Sequence, residues 1–153
     1  DKKTDIFMKT FNEINSKFQD VFSKISTKGS QVYLELENKQ KPFEGGMNIK
    51  AKITGTRYLD IRSLSGGEKT LTALAFIFSI QEYDPASFYV LDEVDAALDK
   101  HNSEKLAGLI RQYSSKAQYL MISHNDAIIS EANNLYGLTM DEHGISKVVS
   151  LKI

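Results

Sequence analysis

Two short stretches, Phe88-Tyr89-Val90-Leu91 and Tyr119-Leu120-Met121-Ile122, are apolar at every position. Runs of four with no wet face read as strands covered on both sides, the habit of parallel sheets. Between them, residues 102–113 carry Leu106, Leu109 and Ile110 at helical spacing, so a helix separates the two strands. Strand, helix and strand in this order make a parallel pair with a right-handed crossover, which restricts this part of the chain to an α/β fold. The alternation starts upstream, at Leu64-Ser65-Gly66-Gly67-Glu68-Lys69. Residues 70–81 continue from there as a helix with Leu71, Leu74, Ala75 and Phe78 on one face. Ser65 suits the N-cap, with Glu68 three residues on as its capping-box partner. Gly66 and Gly67 leave backbone N–H groups unshielded at the positive end of the helix dipole, a terminus suited to an anion such as phosphate.

Other patterns frame this centre. Phe7, Phe11, Ile14, Phe18, Val21 and Ile25 alternate spacings of four and three, a heptad seam that fits a core helix as well as a coiled-coil end. Thr27-Lys28-Gly29-Ser30 stops that helix. Val32, Leu34 and Leu36, then Met47, Ile49, Ala51 and Ile53, alternate with polar residues and predict two half-buried strands. Pro42, Gly45 and Gly46 lie between them, so the connection is antiparallel. Acids on the first strand face lysines on the second across the wet side. Residues 58–61 predict a further strand and residues 126–134 a further helix. Residues 135–140 and 145–151, joined through Asp141-Glu142-His143-Gly144, predict a closing hairpin.

With 153 residues and 41% hydrophobic content the chain is one domain's worth of sequence with a real core. It contains no cysteine, so disulfides and thiolate metal sites are excluded and an intracellular setting is expected. No apolar run reaches the length of a membrane span, and no signal-peptide pattern opens the chain. A start at Asp1 instead of Met leads us to expect a piece of something longer. Residues 1–60 hold 11 Lys/Arg against 8 Asp/Glu, and residues 61–153 hold 8 against 12. Neither part is a basic arm, so composition gives no case for autonomous DNA binding. Nowhere does Gly-x-x-x-x-Gly-Lys-Ser/Thr occur, so a nucleotide site built from this chain would lack its main phosphate cradle.

The chemistry concentrates after the apolar strands. Asp92-Glu93 follows the first, at the carboxyl end where α/β sheets place their ligands. Adjacent acids on a strand point to opposite faces unless the strand has just ended, so the two should have different jobs. His124 closes the second strand in Ile122-Ser123-His124. Taken alone, that histidine fits a structural role.

These motifs, with Pro42-Phe43-Glu44-Gly45-Gly46, Leu71-Thr72-Ala73-Leu74-Ala75, residues 88–99 and Gly144-Ile145-Ser146-Lys147-Val148, run nearly end to end. In that order the chain resembles the C-terminal lobe of an ABC-type ATPase head, and in detail the head of an SMC (structural maintenance of chromosomes) protein. The resemblance implies an α/β lobe, mainly parallel sheet flanked by helices, with an antiparallel hairpin. Residues 1–26 become the helix next to the coiled coil, and residues 27–153 the lobe with signature, Walker B, D-loop and switch histidine. It also implies the cofactors ATP and Mg²⁺. Asp92 takes the metal role and Glu93 that of general base for the attacking water. His124 hydrogen-bonds the γ-phosphate or that water. Asp99 ends Ala96-Ala97-Leu98-Asp99, the D-loop that crosses to a partner head. Leu64, Ser65, Gly66, Gly67 and Glu68 form the signature, which reaches ATP held by the opposing head.

The implied partners are the N-terminal lobe of the same SMC protein, a second head in an ATP-dependent dimer, the C-terminal winged helix of a kleisin subunit, and DNA in the full-length complex. No membrane is involved. The implied setting is the cytoplasm, on the chromosome or nucleoid. The implied work is ATP hydrolysis driving chromosome organisation, condensation and segregation, by a prokaryotic type of SMC. Alternatives are the head lobe of another DNA-repair ABC ATPase, or a partner-docking lobe without catalysis.

Overall fold

The computed structural model describes residues 2–152, so the expectations for Asp1 and Ile153 lie outside the described residues. In chain order the elements are α1 (Lys2–Ile25), β1 (Gln31–Leu36), β2 (Met47–Lys52), β3 (Leu59–Asp60), α2 (Gly66–Tyr83), β4 (Phe88–Asp92), α3 (Lys100–Ser114), β5 (Gln118–Ile122), α4 (Asp126–Ser130), β6 (Asn134–Met140) and β7 (Ser146–Lys152).

The seam of α1 divides in two. Its C-terminal part buries Phe18, Val21, Phe22 and Ile25, and Phe18 meets Phe76 of α2 edge-on at 5.7 Å between ring centres. Its N-terminal part turns Phe7 onto Phe43, 5.0 Å away in the β1–β2 connection. That connection folds tightly. Gly46 N–H donates to Glu37 Oε2 at 2.8 Å, and a Cβ on Gly45 would stand 3.2 Å from the Asn38 backbone nitrogen. Glycine at this position admits the close backbone approach. β1, β2 and β3 form an antiparallel sheet with Leu34 opposite Ile49. Lys50 lies 3.8 Å from Glu35 and 3.6 Å from Asp60, so the expected acid–lysine pairing is present. Residues 58–61 give a shorter strand than expected. Asp60 Oδ1 accepts from the Arg62 N–H at 3.0 Å and turns the chain into a 3₁₀ turn, Ile61–Ser63.

β4 and β5 are parallel, with Tyr89 opposite Tyr119 and Asp92 opposite Ile122. The inner face of the pair, Leu91 with Tyr89 and Tyr119, packs toward α2 and α3. There Phe78 stacks on Tyr113 at 5.2 Å, and the Tyr119 hydroxyl donates to Gln81 at 2.8 Å. The expectation that both faces are covered is corrected by the outer face. Phe88, Val90, Leu120 and Ile122 are 47–63% exposed. Strand side chains alternate between faces, and α2 and α3 cover one face only. Among the described residues the parallel part is this single pair, and β6–β7 form a separate antiparallel hairpin.

The helix expected over residues 126–134 stops at Ser130. Asn133 and Asn134 compete with helical backbone through their own side chains, and Asn134 already pairs with Lys152 in the hairpin. The hairpin turn is held by Asp141 Oδ1, which accepts from His143 N–H at 3.0 Å and Ile145 N–H at 2.9 Å. Those two donors hold the Asp141 carboxyl below the usual carboxylate range. Among the described residues no helix is long and apolar enough to cross a membrane.

Candidate functional site

The site is assembled at the carboxyl end of the β4–β5 pair. Asp92 is the last residue of β4, and the chain then breaks out of extended geometry at Glu93, which has φ 46°. A left-handed backbone at a non-glycine residue is strained and is held by its surroundings. Here the Glu93 N–H donates to Ile122 O of β5 at 2.8 Å. The turn ends the strand directly after Asp92, so the alternation of strand faces does not carry through to the Asp92 and Glu93 carboxylates. Both are exposed, and among the described residues neither has a hydrogen-bond or ion-pair partner. His124 follows β5 by two residues and is also exposed. Residues from two strands whose partners lie 30 positions apart in sequence thus share one end of the sheet: Asp92 and Glu93 from one, His124 from the other.

The start of α2 lies beside this edge. A Cβ on Gly67 would stand 3.2 Å from the Ala97 carbonyl oxygen, so glycine lets the helix terminus press against the loop between β4 and α3. Leu64 is buried and anchors the segment, while Ser65 and Gly66 are exposed. Glu68 reaches back as expected. Its Oε2 accepts from the Ser65 N–H at 2.9 Å and from the Ser65 hydroxyl at 2.7 Å. The protein's own carboxylate thus occupies the hydroxyl that the phosphate reading assigns to an incoming anion. Asp99 serves locally as the N-cap of α3, with Oδ1 accepting from Asn102 N–H at 2.8 Å.

Among the described residues no three His, Asp or Glu side chains converge as a metal-binding group. Mg²⁺ ordinarily takes one or two carboxylates and fills its shell with phosphate oxygens and water. An exposed, unpaired Asp92 at the sheet's end fits that demand as a single ligand.

Sequence reasoning missed Asp95, Ser123 and Asn125. Asp95 is 4% exposed, and its Oδ2 accepts from Ser123 Oγ at 2.7 Å. The available signal was Ser123 and Asn125 on either side of His124, both residue types that bend the chain by hydrogen-bonding nearby backbone.

Solved structures match this fold closely. One, described as "Structural biochemistry of ATP-driven dimerization and DNA stimulated activation of SMC ATPases", superposes with a TM-score of 0.88 at 43% identity, over 97% of this chain and 89% of that one. The Smc head domain of Pyrococcus furiosus, with an extended coiled coil and bound to the C-terminal domain of ScpA, gives a TM-score of 0.92 at 44% identity, over 99% of this chain and 37% of that one. The fold and these matches define an α/β piece of an SMC head.

The chain belongs to the RecF/RecN/SMC N terminal domain family, whose model matches residues 5–147. Chromosome partition protein Smc of Methanocaldococcus jannaschii is 45% identical over 152 residues, 99% of this chain and 13% of that protein. The chain thus spans about an eighth of the length of such relatives.

Proposed function

We propose that this chain is the C-terminal lobe of an SMC head, and that it supplies half of a composite ATP site used in chromosome partition. The observation that carries the reading is the shared sheet edge: Asp92, Glu93 and His124 together, with the α2 terminus pressed against the loop that follows the acids. A phosphate loop would come from the N-terminal lobe, docked on the bare outer face of β4–β5. Bound Mg²⁺ would neutralise charge developing on the transferred phosphoryl group. Asp92 supplies one of its ligands. Glu93 takes a proton from the attacking water. His124, as a neutral imidazole, holds that water or a terminal phosphate oxygen by a hydrogen bond.

Ser65 and the Gly66 and Gly67 N–H groups work in trans, on ATP held by a second head. Their contact requires the Ser65 hydroxyl to leave Glu68. A γ-phosphate rewards that exchange and ADP does not, so engagement follows the ligand's differential affinity for the two states. Hydrolysis then releases the heads, and their cycle acts on DNA through the coiled coils. A kleisin winged helix is a further proposed partner, supported by the ScpA-bound Smc head of P. furiosus.

Ser65→Arg tests the trans role. After reconstitution with the N-terminal lobe, the variant is expected to bind ATP almost normally and to remain monomeric on a sizing column. An ATP-induced dimer of Ser65→Arg would count against the assignment.

A further inference from the structure

Asp95 is a carboxylate with almost no contact with water, and such groups are rarely buried without a partner. Its partner is not a cation. Oδ2 accepts from Ser123 Oγ at 2.7 Å, a charge-assisted bond between the loop after β4 and the turn after β5. The Ser123 oxygen then accepts from Asn125 N–H at 3.0 Å. Asn125 continues the network, with Nδ2 donating to the buried Ser103 hydroxyl of α3 at 2.9 Å and Oδ1 accepting from Ala127 N–H at 3.0 Å. Both sequence neighbours of His124 are therefore fixed, one to the acid loop and one to α3. His124 has no hydrogen-bond or ion-pair partner of its own among the described residues. Nothing on its ring sets its direction, so the backbone on either side must.

We infer that Asp95 is a positioning residue: through Ser123 it locks the backbone that carries His124 onto the loop that carries Asp92 and Glu93. With the Glu93 N–H to Ile122 O bond at 2.8 Å, it makes two links between the strand ends. The catalytic consequence rests on the reading above, in which His124 acts at the phosphate. The positioning itself does not.

Two readouts separate these claims. The first is the NMR spectrum of the His124 ring in this chain, with the exposed His101 and His143 as internal controls. Asp95→Ala and Ser123→Ala are expected to shift and broaden the His124 signals and leave the other two in place. Ser123→Thr keeps the hydroxyl and is expected to restore the parent position. If Asp95→Ala does not fold, Asp95→Asn combined with Ser123→Ala removes the charge and its donor together and carries the same test. An unmoved His124 signal in a folded variant overturns the inference.

The second readout is turnover in the reconstituted head. Asp95→Ala is expected to lower kcat by about tenfold to a hundredfold with KM for ATP unchanged, the scale of a misplaced reacting group. Adding it to His124→Ala should lower kcat no further. A purely structural loss would instead add to His124→Ala, and that result overturns the inference. If His124→Ala keeps parent turnover while the ring signals still move in Asp95→Ala, the positioning stands and the phosphate role of His124 falls.

Discussion

The two faces of the β4–β5 pair have nearly the same composition and opposite surroundings. On the inner face Leu91 is 8% exposed, Tyr89 stacks on Tyr119 and Phe78 on Tyr113, and a tilted Phe78–Tyr119 contact joins the two pairs. On the outer face Phe88 is 63% exposed and Leu120 53%. Contiguous apolar surface of this kind marks an interaction site more often than a free surface. The inner face shows what the chain can stabilise alone. The outer face shows what it leaves uncovered, and the acids and His124 stand at the carboxyl end of the same pair.

The contrast is sharpest in stability. Phe78 is fully buried, and Phe78→Ala is expected to lower unfolding free energy by about 3–5 kcal/mol in a denaturant titration. Leu120→Ser, on the outer face, is expected to change it by no more than about 0.5 kcal/mol, as surface substitutions do. A large loss from Leu120→Ser would mean the outer face is already covered in the lone chain.

At that carboxyl end, Glu93→Gln keeps the side chain's size and removes its basicity. In the reconstituted head ATP-dependent dimerisation should persist while hydrolysis falls about 10²–10⁴-fold. Near-parent turnover would move the base elsewhere, with His124 the first candidate.

A smaller effect comes from pH and belongs to the inner face alone. Burial pushes the Tyr119 phenol up to about 12, with the neighbouring Tyr89 adding to the shift. Burial also raises Tyr113, which donates its hydroxyl to Glu82. Both phenols are therefore held neutral in the fold, whereas an unfolded tyrosine ionises near about 10. A folded pKa above the unfolded value gives stability that is complete below about pH 10 and declines as pH rises toward 12. Denaturation midpoints measured across that range should fall, and Tyr119→Phe should make the fall shallower. An unchanged slope in Tyr119→Phe would place the alkaline loss elsewhere.

The sequence made these regions legible to different degrees. Elements with strong periodicity were recovered nearly to their ends: α1 from its seam, α2 from Leu71, Leu74 and Phe78, and β1–β2 from alternation. Residues 126–134 misled because Asp126–Ser130 carries apolar residues at helical spacing, and nothing in periodicity alone announces that Asn133-Asn134 ends it. The reading of residues 88–91 and 119–122 as covered on both sides followed from their apolar side chains. A covering segment outside the chain leaves the same signature as one inside it. Asp92, Glu93 and His124 were legible as strand-end residues. Their juxtaposition with Ala97 and Gly67 was not, because it depends on a backbone approach that only coordinates reveal. Asp95 was not singled out, because its partner is a hydroxyl 28 residues away that no local pattern announces.

The half-site claim can be tested most directly by titrating ATP and Mg²⁺ into this chain in a calorimeter, first alone and then with the N-terminal lobe added. In the proposed reading the lone chain would offer one Mg²⁺ carboxylate, a base and a helix terminus whose pull on an anion is about 0.3–1 kcal/mol, against the roughly 8 kcal/mol that micromolar binding requires. No binding in the micromolar range is expected from the lone chain, with tight binding and phosphate release once the second lobe is present. Micromolar affinity or sustained turnover by the chain alone would contradict it.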